Sequence, residues 1–86
     1  MTAEASAGQV SRLIDATGLF CPLPIQKLSA ALREVEAGAL VQLVSTDPGT
    51  PGDLQAFCKA THHLLIDTRV EGERFTALVR KKAAQP

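Results

Sequence analysis

The chain has no tryptophan, no tyrosine and only three phenylalanines among its 86 residues. Its core must therefore be built mainly from Leu, Val, Ile and Ala. A platform of exposed rings for stacking single-stranded bases is also hardly available to it. Cysteine occurs only twice, which excludes a disulfide-rich secreted framework and makes the reducing cytoplasm the expected compartment. Charge of one sign is not in excess: nine basic and nine acidic side chains give a formal net charge of zero. General nucleic-acid binders draw most of their affinity from phosphate neutralisation, so this balance argues against that class. The one basic run, Arg80-Lys81-Lys82, reads as a solvated end of the domain. No stretch approaches the ~20 apolar residues of a membrane span. Residues 1–9 have neither a basic leader nor an apolar segment after it, so they are not expected to be a secretory signal.

What is present is a densely patterned chain with 45% apolar residues, long enough for one small domain. Residues 1–9 are expected to form a flexible N-terminal tail, residues 10–82 the domain and residues 83–86 a second flexible tail. Val10 to Ala16 reads as a first strand with Val10, Leu13 and Ile14 as its apolar content. Thr17 and Gly18 mark a turn. Ile25, Leu28, Leu32 and Val35 then recur at helical spacing, predicting a helix over about 22–36 with Gly38 as its C-cap. Ala39 to Ser45 is apolar on both faces except at Gln42, as in a central strand covered on both sides. The segment 46–52 is rich in proline and glycine and reads as a loop. Thr50 is expected to cap a second helix, about 51–62, with Pro51 at its first position and Leu54, Phe57, Cys58 and Thr61 facing inward. Leu64, Ile66, Thr68 and Val70 alternate with Leu65, Asp67 and Arg69 in a half-buried strand. Glu71-Gly72 suits a hairpin turn, and Phe75, Ala77 and Val79 define the inner face of the last strand.

The order βαβαββ, with right-handed crossovers, predicts a two-layer α/β sandwich. In it, two helices pack on one face of a four-stranded mixed sheet and the other face is more open to solvent. Pattern alone leaves the strand order undetermined.

The densest chemistry lies in Gly18-Leu19-Phe20-Cys21-Pro22-Leu23-Pro24. Proline suits a first helical turn because its fixed φ is already helical and its missing N–H would have had no partner. Cys21 therefore stands at a helix threshold, over N–H groups and the positive end of the macrodipole. That setting favours a thiolate. Pro22 and Pro24 read as a rigid platform for the sulfur or as simple helix initiators. Gly18 relieves the turn, and Asp15 either braces the loop or ends the strand in solvent. Cys58 sits on the apolar stripe of the second helix and reads as core. A redox protein working through a Cys21–Cys58 disulfide ranks low, since no Cys-x-x-Cys is present. Cys58 and His62 have local helical spacing, but Cys21 and His63 add no spacing typical of a zinc site, so no metal is expected. His62 and His63 are expected to end the second helix, where a protonated imidazole suits the dipole.

The set Asp15-x-x-Gly18-x-x-Cys21-Pro22-x-Pro24 resembles the signature of the TusA-like (SirA-like) sulfur carrier family. Leu13-Ile14-Asp15, Asp47-Pro48, Asp53-Leu54, Phe57-Cys58, His63-Leu64 and Glu71-Gly72 extend the likeness over about residues 12–82. The resemblance implies a sulfur shuttle with no cofactor. Cys21 would accept sulfane sulfur, as a persulfide or thiosulfonate, from a donor protein of rhodanese or cysteine desulfurase type and pass it to an acceptor protein. It further implies a half-reaction partner rather than a stand-alone enzyme, a monomer that forms transient complexes, and a role in sulfur oxidation, tRNA thiolation or cofactor maturation. Phe20 departs from the many relatives that carry a basic residue there, which makes it a candidate for partner docking. A regulatory or RNA-binding module on the same fold is the alternative reading.

Overall fold

The computed structural model describes residues 10–83; the two predicted tails lie outside the described residues, apart from Ala83. Six elements follow in the expected order: β1 (Val10–Ala16), α1 (Leu23–Glu34), β2 (Leu40–Ser45), α2 (Thr50–Thr61), β3 (Leu64–Glu71) and β4 (Arg74–Arg80). The sheet order, open from sequence, is β1-β2-β4-β3. β1 and β2 run parallel, with Ala16 opposite Ser45, while β2–β4 and β3–β4 are antiparallel.

Both helices cover one face. Leu28, Ala31 and Leu32 of α1, with Leu54 and Cys58 of α2, pack against Ala16, Val41, Leu43, Phe75, Ala77 and Val79. The alternation read in β4 is therefore correct: Phe75, Ala77 and Val79 are buried and Arg74 and Arg80 exposed. β2 is central but not covered on both sides. Gln42 and Val44 look onto the open face, where they line a hollow of about 460 Å³ with Thr76, Leu78, Asp67 and Arg69.

β3 differs from its sequence pattern. It is an edge strand in which only Leu65 packs on the core, and Leu64, Ile66, Thr68 and Val70 are all exposed. The register slips between Leu65 and Asp67, so Ile66 is an extra residue that breaks the period of two. Beyond that bulge Thr68 and Val70 pair with the inward-facing Ala77 and Phe75, yet neither is covered.

The helix ends also depart from expectation. α1 stops at Glu34 with an extended Val35, and Gly38 is not its cap. Gly38 instead occupies the third position of a turn closed by Ala39 N–H to Glu36 C=O, with φ 85, which glycine adopts without a Cβ clash. The end of α1 is held by Lys81, whose Nζ donates to the Val35 carbonyl at 2.8 Å, so this lysine of the basic run serves the fold. Thr50 does not cap α2: Gly49 holds that position, and the Thr50 hydroxyl points inward to Ser45 Oγ at 2.7 Å. Both hydroxyls are fully buried, and each satisfies the other. His62 closes α2 through its backbone, at φ 70, with its N–H on the Cys58 carbonyl.

Candidate functional site

Parallel pairing of β1 with β2 brings their carboxyl ends side by side, so the loops leaving them must meet. The β2–α2 loop, Thr46-Asp47-Pro48-Gly49, holds the β1–α1 loop through two side chains. Gly18 N–H donates to Thr46 Oγ1 at 2.9 Å, and Cys21 N–H donates to Asp47 Oδ2 at 2.9 Å. Asp47 is itself seated, since its Oδ1 accepts from Gly49 N–H and its own N–H donates to the buried Ser45 Oγ. A chain of contacts thus runs from the buried Ser45–Thr50 pair to the backbone of Cys21.

Within the β1–α1 loop, Asp15 Oδ1 accepts from Thr17 N–H at 3.0 Å. Hydrogen bonding from Thr17 holds the Asp15 carboxyl below its ordinary range. Gly18, at φ 82, turns the chain where a side chain would be strained, and Leu19 N–H closes the turn on Ala16 C=O. Pro22 stands at the N-cap rather than inside the helix, joined to Cys21 by a cis peptide bond, and Pro24 fills the first turn and is buried. Phe20 projects into solvent with 69% of its surface exposed, beside Leu23 at 45%.

The thiol of Cys21 is exposed and free. It borders a shallow, open depression lined by Pro22, Ile25, Asp53, Ala56 and Phe57. Among the described residues Asp53 is the single charged side chain in that lining. The Asp47 and Asp53 carboxylates come together over Gly49: both oxygens of Asp47 and one of Asp53 lie within 4 Å of the point a Cβ would occupy on that glycine.

This environment reverses the expected thiolate bias. Hydrogen bonding of the thiol to Asp53 pushes Cys21 above its ordinary range, and desolvation and the charges of Asp53 and Asp47 add to it. The helix terminus also has fewer donors to offer than the sequence argument assumed. Pro22 and Pro24 carry no N–H, Leu23 N–H bonds to Phe20 C=O, and Cys21 N–H is taken by Asp47.

The remaining candidates lie elsewhere. Cys58 is buried in the core, where desolvation raises its thiol, so it serves packing. His63 stacks on Phe57 at 5.9 Å and accepts Lys82 N–H at Nδ1. Burial, with Lys82 and Lys81 nearby, holds it below the ordinary histidine range. Its imidazole is thus kept neutral, against the expected cation. Among the described residues no group of three or more His, Cys, Asp or Glu could hold a metal, and no helix is long and apolar enough to cross a membrane.

Comparison with known proteins points the same way. Residues 12–81 match the family described as Sulfurtransferase TusA. A protein of Neisseria meningitidis serogroup A is 42% identical over 72 residues, covering 84% of this chain and 97% of that one. Sulfur carrier protein TusA of Pseudomonas syringae pv. syringae is 39% identical over 70 residues (81% and 83%), and that of Allochromatium vinosum 38% over 68 residues (79% and 90%). A crystal structure of a SirA-like protein from Desulfitobacterium hafniense shares the fold, with a TM-score of 0.73 at 22% identity over 83% of this chain and 97% of that one. The chain belongs to the TusA family of sulfur carriers.

Proposed function

We propose that the protein carries sulfur on Cys21 between a donor protein and an acceptor protein, in a cytoplasmic relay. The observation that carries this reading is an exposed thiol on a loop whose backbone is fixed by the neighbouring loop through Asp47. In the loading step the ionised Cys21 attacks the outer sulfur of a donor persulfide. The donor's S–S bond breaks, its electron pair leaves on the donor cysteine, and that thiolate takes up the proton. Cys21 becomes a persulfide with no oxidant or reductant consumed. Delivery repeats the exchange with the acceptor as nucleophile.

Gly18, Asp15 and the two prolines support the loop, while Phe20 and Leu23 offer apolar surface to the transient partner. Nothing among the described residues near Cys21 serves as a general base with a proton-accepting imidazole or amine, so activation falls to the partners. Incubation with cysteine and a cysteine desulfurase, or with thiosulfate and a rhodanese, is expected to add one sulfur atom at Cys21 by intact-mass spectrometry. No transfer from any such donor, or undiminished loading of Cys21→Ala, would overturn the proposal.

A further inference from the structure

We propose that Asp53 is a specificity-determining residue: among the described residues it is the only charged side chain lining the depression that Cys21 borders, and it reserves the thiol for a protein partner that brings a cation to that depression. The proposal rests on the reading of Cys21 as the sulfur-accepting group. Its starting point is a division of labour between two acids. Asp47 has both oxygens committed to backbone N–H groups, one of them that of Cys21. Asp53 lies in the first turn of α2, half-buried, and lines the same depression as Cys21.

Charge around the sulfur comes from few directions. α2 contributes Asp53 and the β2–α2 loop contributes Asp47. The first turn of α1, Leu23 to Gln26, carries no charged side chain. Lys27 and Arg12 belong to a separate hollow with Asp15 and Glu34, and Arg12 is paired to Glu34 at 2.8 Å. Among the described residues no basic side chain lines the depression beside Cys21.

Two consequences follow for sulfur transfer. A carboxylate beside the thiol opposes its ionisation by its charge, so the isolated carrier reacts slowly with electrophiles at neutral pH. The same negative charge repels anionic small molecules such as free thiosulfate, whereas a docked protein can present Lys or Arg to Asp53 and place its persulfide opposite Cys21. Such a cation relieves the restraint at the moment of transfer. The residue before Cys21, Phe20, is uncharged and adds no cation there.

The test compares alkylation of the purified, reduced protein by neutral iodoacetamide and by anionic iodoacetate over pH 6 to 10, with intact mass locating the adduct. In Asp53→Asn the iodoacetamide profile is expected to move to lower pH and the rate at pH 7 to rise about three- to tenfold. Iodoacetate is expected to gain more than iodoacetamide, because a charge that repels it has gone. Asp53→Glu keeps the charge and is expected to remain close to wild type, which separates charge from loss of packing; circular dichroism confirms the fold of each variant. Unchanged pH profiles in Asp53→Asn, or equal gains with both reagents, would overturn the proposal. Neither reagent donates sulfur, so this result is independent of whether Cys21 accepts it; loading by a desulfurase is scored separately.

Discussion

The buried hydroxyl pair beneath the site gives a sharp test of how the loop around Cys21 is held. Thr50→Val removes one hydroxyl while keeping shape and β-branching, so little cavity is created. Thr50 is 1% exposed and Ser45 0%, so water cannot replace the lost 2.7 Å bond. Ser45 Oγ still accepts Asp47 N–H at 3.1 Å, but the hydroxyl–hydroxyl bond, in which either oxygen can donate, is gone. An orphaned buried hydroxyl costs about 1–3 kcal/mol. For a domain of this size each kcal/mol lowers Tm by roughly 4–8 °C, so a fall of about 5–20 °C is expected. Urea unfolding followed by far-UV circular dichroism is the suitable assay, since there is no tryptophan or tyrosine to report by fluorescence. The double variant Ser45→Ala/Thr50→Val is expected to cost less than the sum of its single changes, because neither hydroxyl is then left alone. A Thr50→Val protein within about 0.5 kcal/mol of wild type, or strict additivity in the cycle, would refute the reasoning.

Phe20→Ala is expected to leave stability within about 0.5 kcal/mol, the ring being mostly exposed, while raising KM for a protein sulfur donor about tenfold as an interface anchor is lost; steady-state transfer assays with a fixed donor check this. Cys58→Ala is expected to cost about 1–2 kcal/mol in urea unfolding through lost core packing, with sulfur loading at Cys21 retained; loss of loading would restore a relay role for Cys58. For His63 the folded state disfavours the proton, so the stability that its neutral ring contributes is full above the unfolded value near 6.5. It is lost as pH falls through the folded value, which lies below that. Urea midpoints at pH 7.5 and pH 5.5 are expected to diverge more for the wild type than for His63→Gln.

The elements were legible where periodicity was uninterrupted. Leu28 and Leu32 placed the face of α1, and the strict alternation through Phe75, Ala77 and Val79 placed that of β4. β3 misled for two reasons: the bulge at Ile66 puts Leu65, and not Leu64 or Ile66, on the core, and beyond it Thr68 and Val70 lie on the inward side of an edge strand that nothing covers. Thr50 misled because a threonine before proline suits an N-cap locally, whereas a buried partner five residues away in sequence, Ser45, outweighs that preference. In the site, Cys21, Gly18 and the prolines stood in one motif and were visible at once. Thr46, Asp47 and Asp53 were not identified as its neighbours, although the available signal was strong. Two parallel strands joined by a helix must bring together the loops at their carboxyl ends, and the second loop is rich in oxygen-bearing side chains.

The same contact explains why the local reading of Cys21 had the wrong sign. A helix start acts over one turn and only through N–H groups that are not already engaged. Here two of the nearby positions are prolines, and the cysteine's own N–H is bound by Asp47, 26 residues further along the chain. The motif that presents the sulfur is therefore also the motif that strips the helix start of donors, and the loop that steadies the sulfur brings acids to it. For an enzyme that activates its own nucleophile this would be a poor arrangement. For a carrier it is coherent, because a permanently ionised, exposed thiol would be open to oxidation and to unproductive exchange between encounters. Under the reading proposed for Cys21 and Asp53, geometry is held ready in the free protein and ionisation is left to the complex, so transfer depends on docking. Specificity then resides in the surface around Cys21, where Phe20 and Asp53 stand on either side of the question of which partner can complete the site.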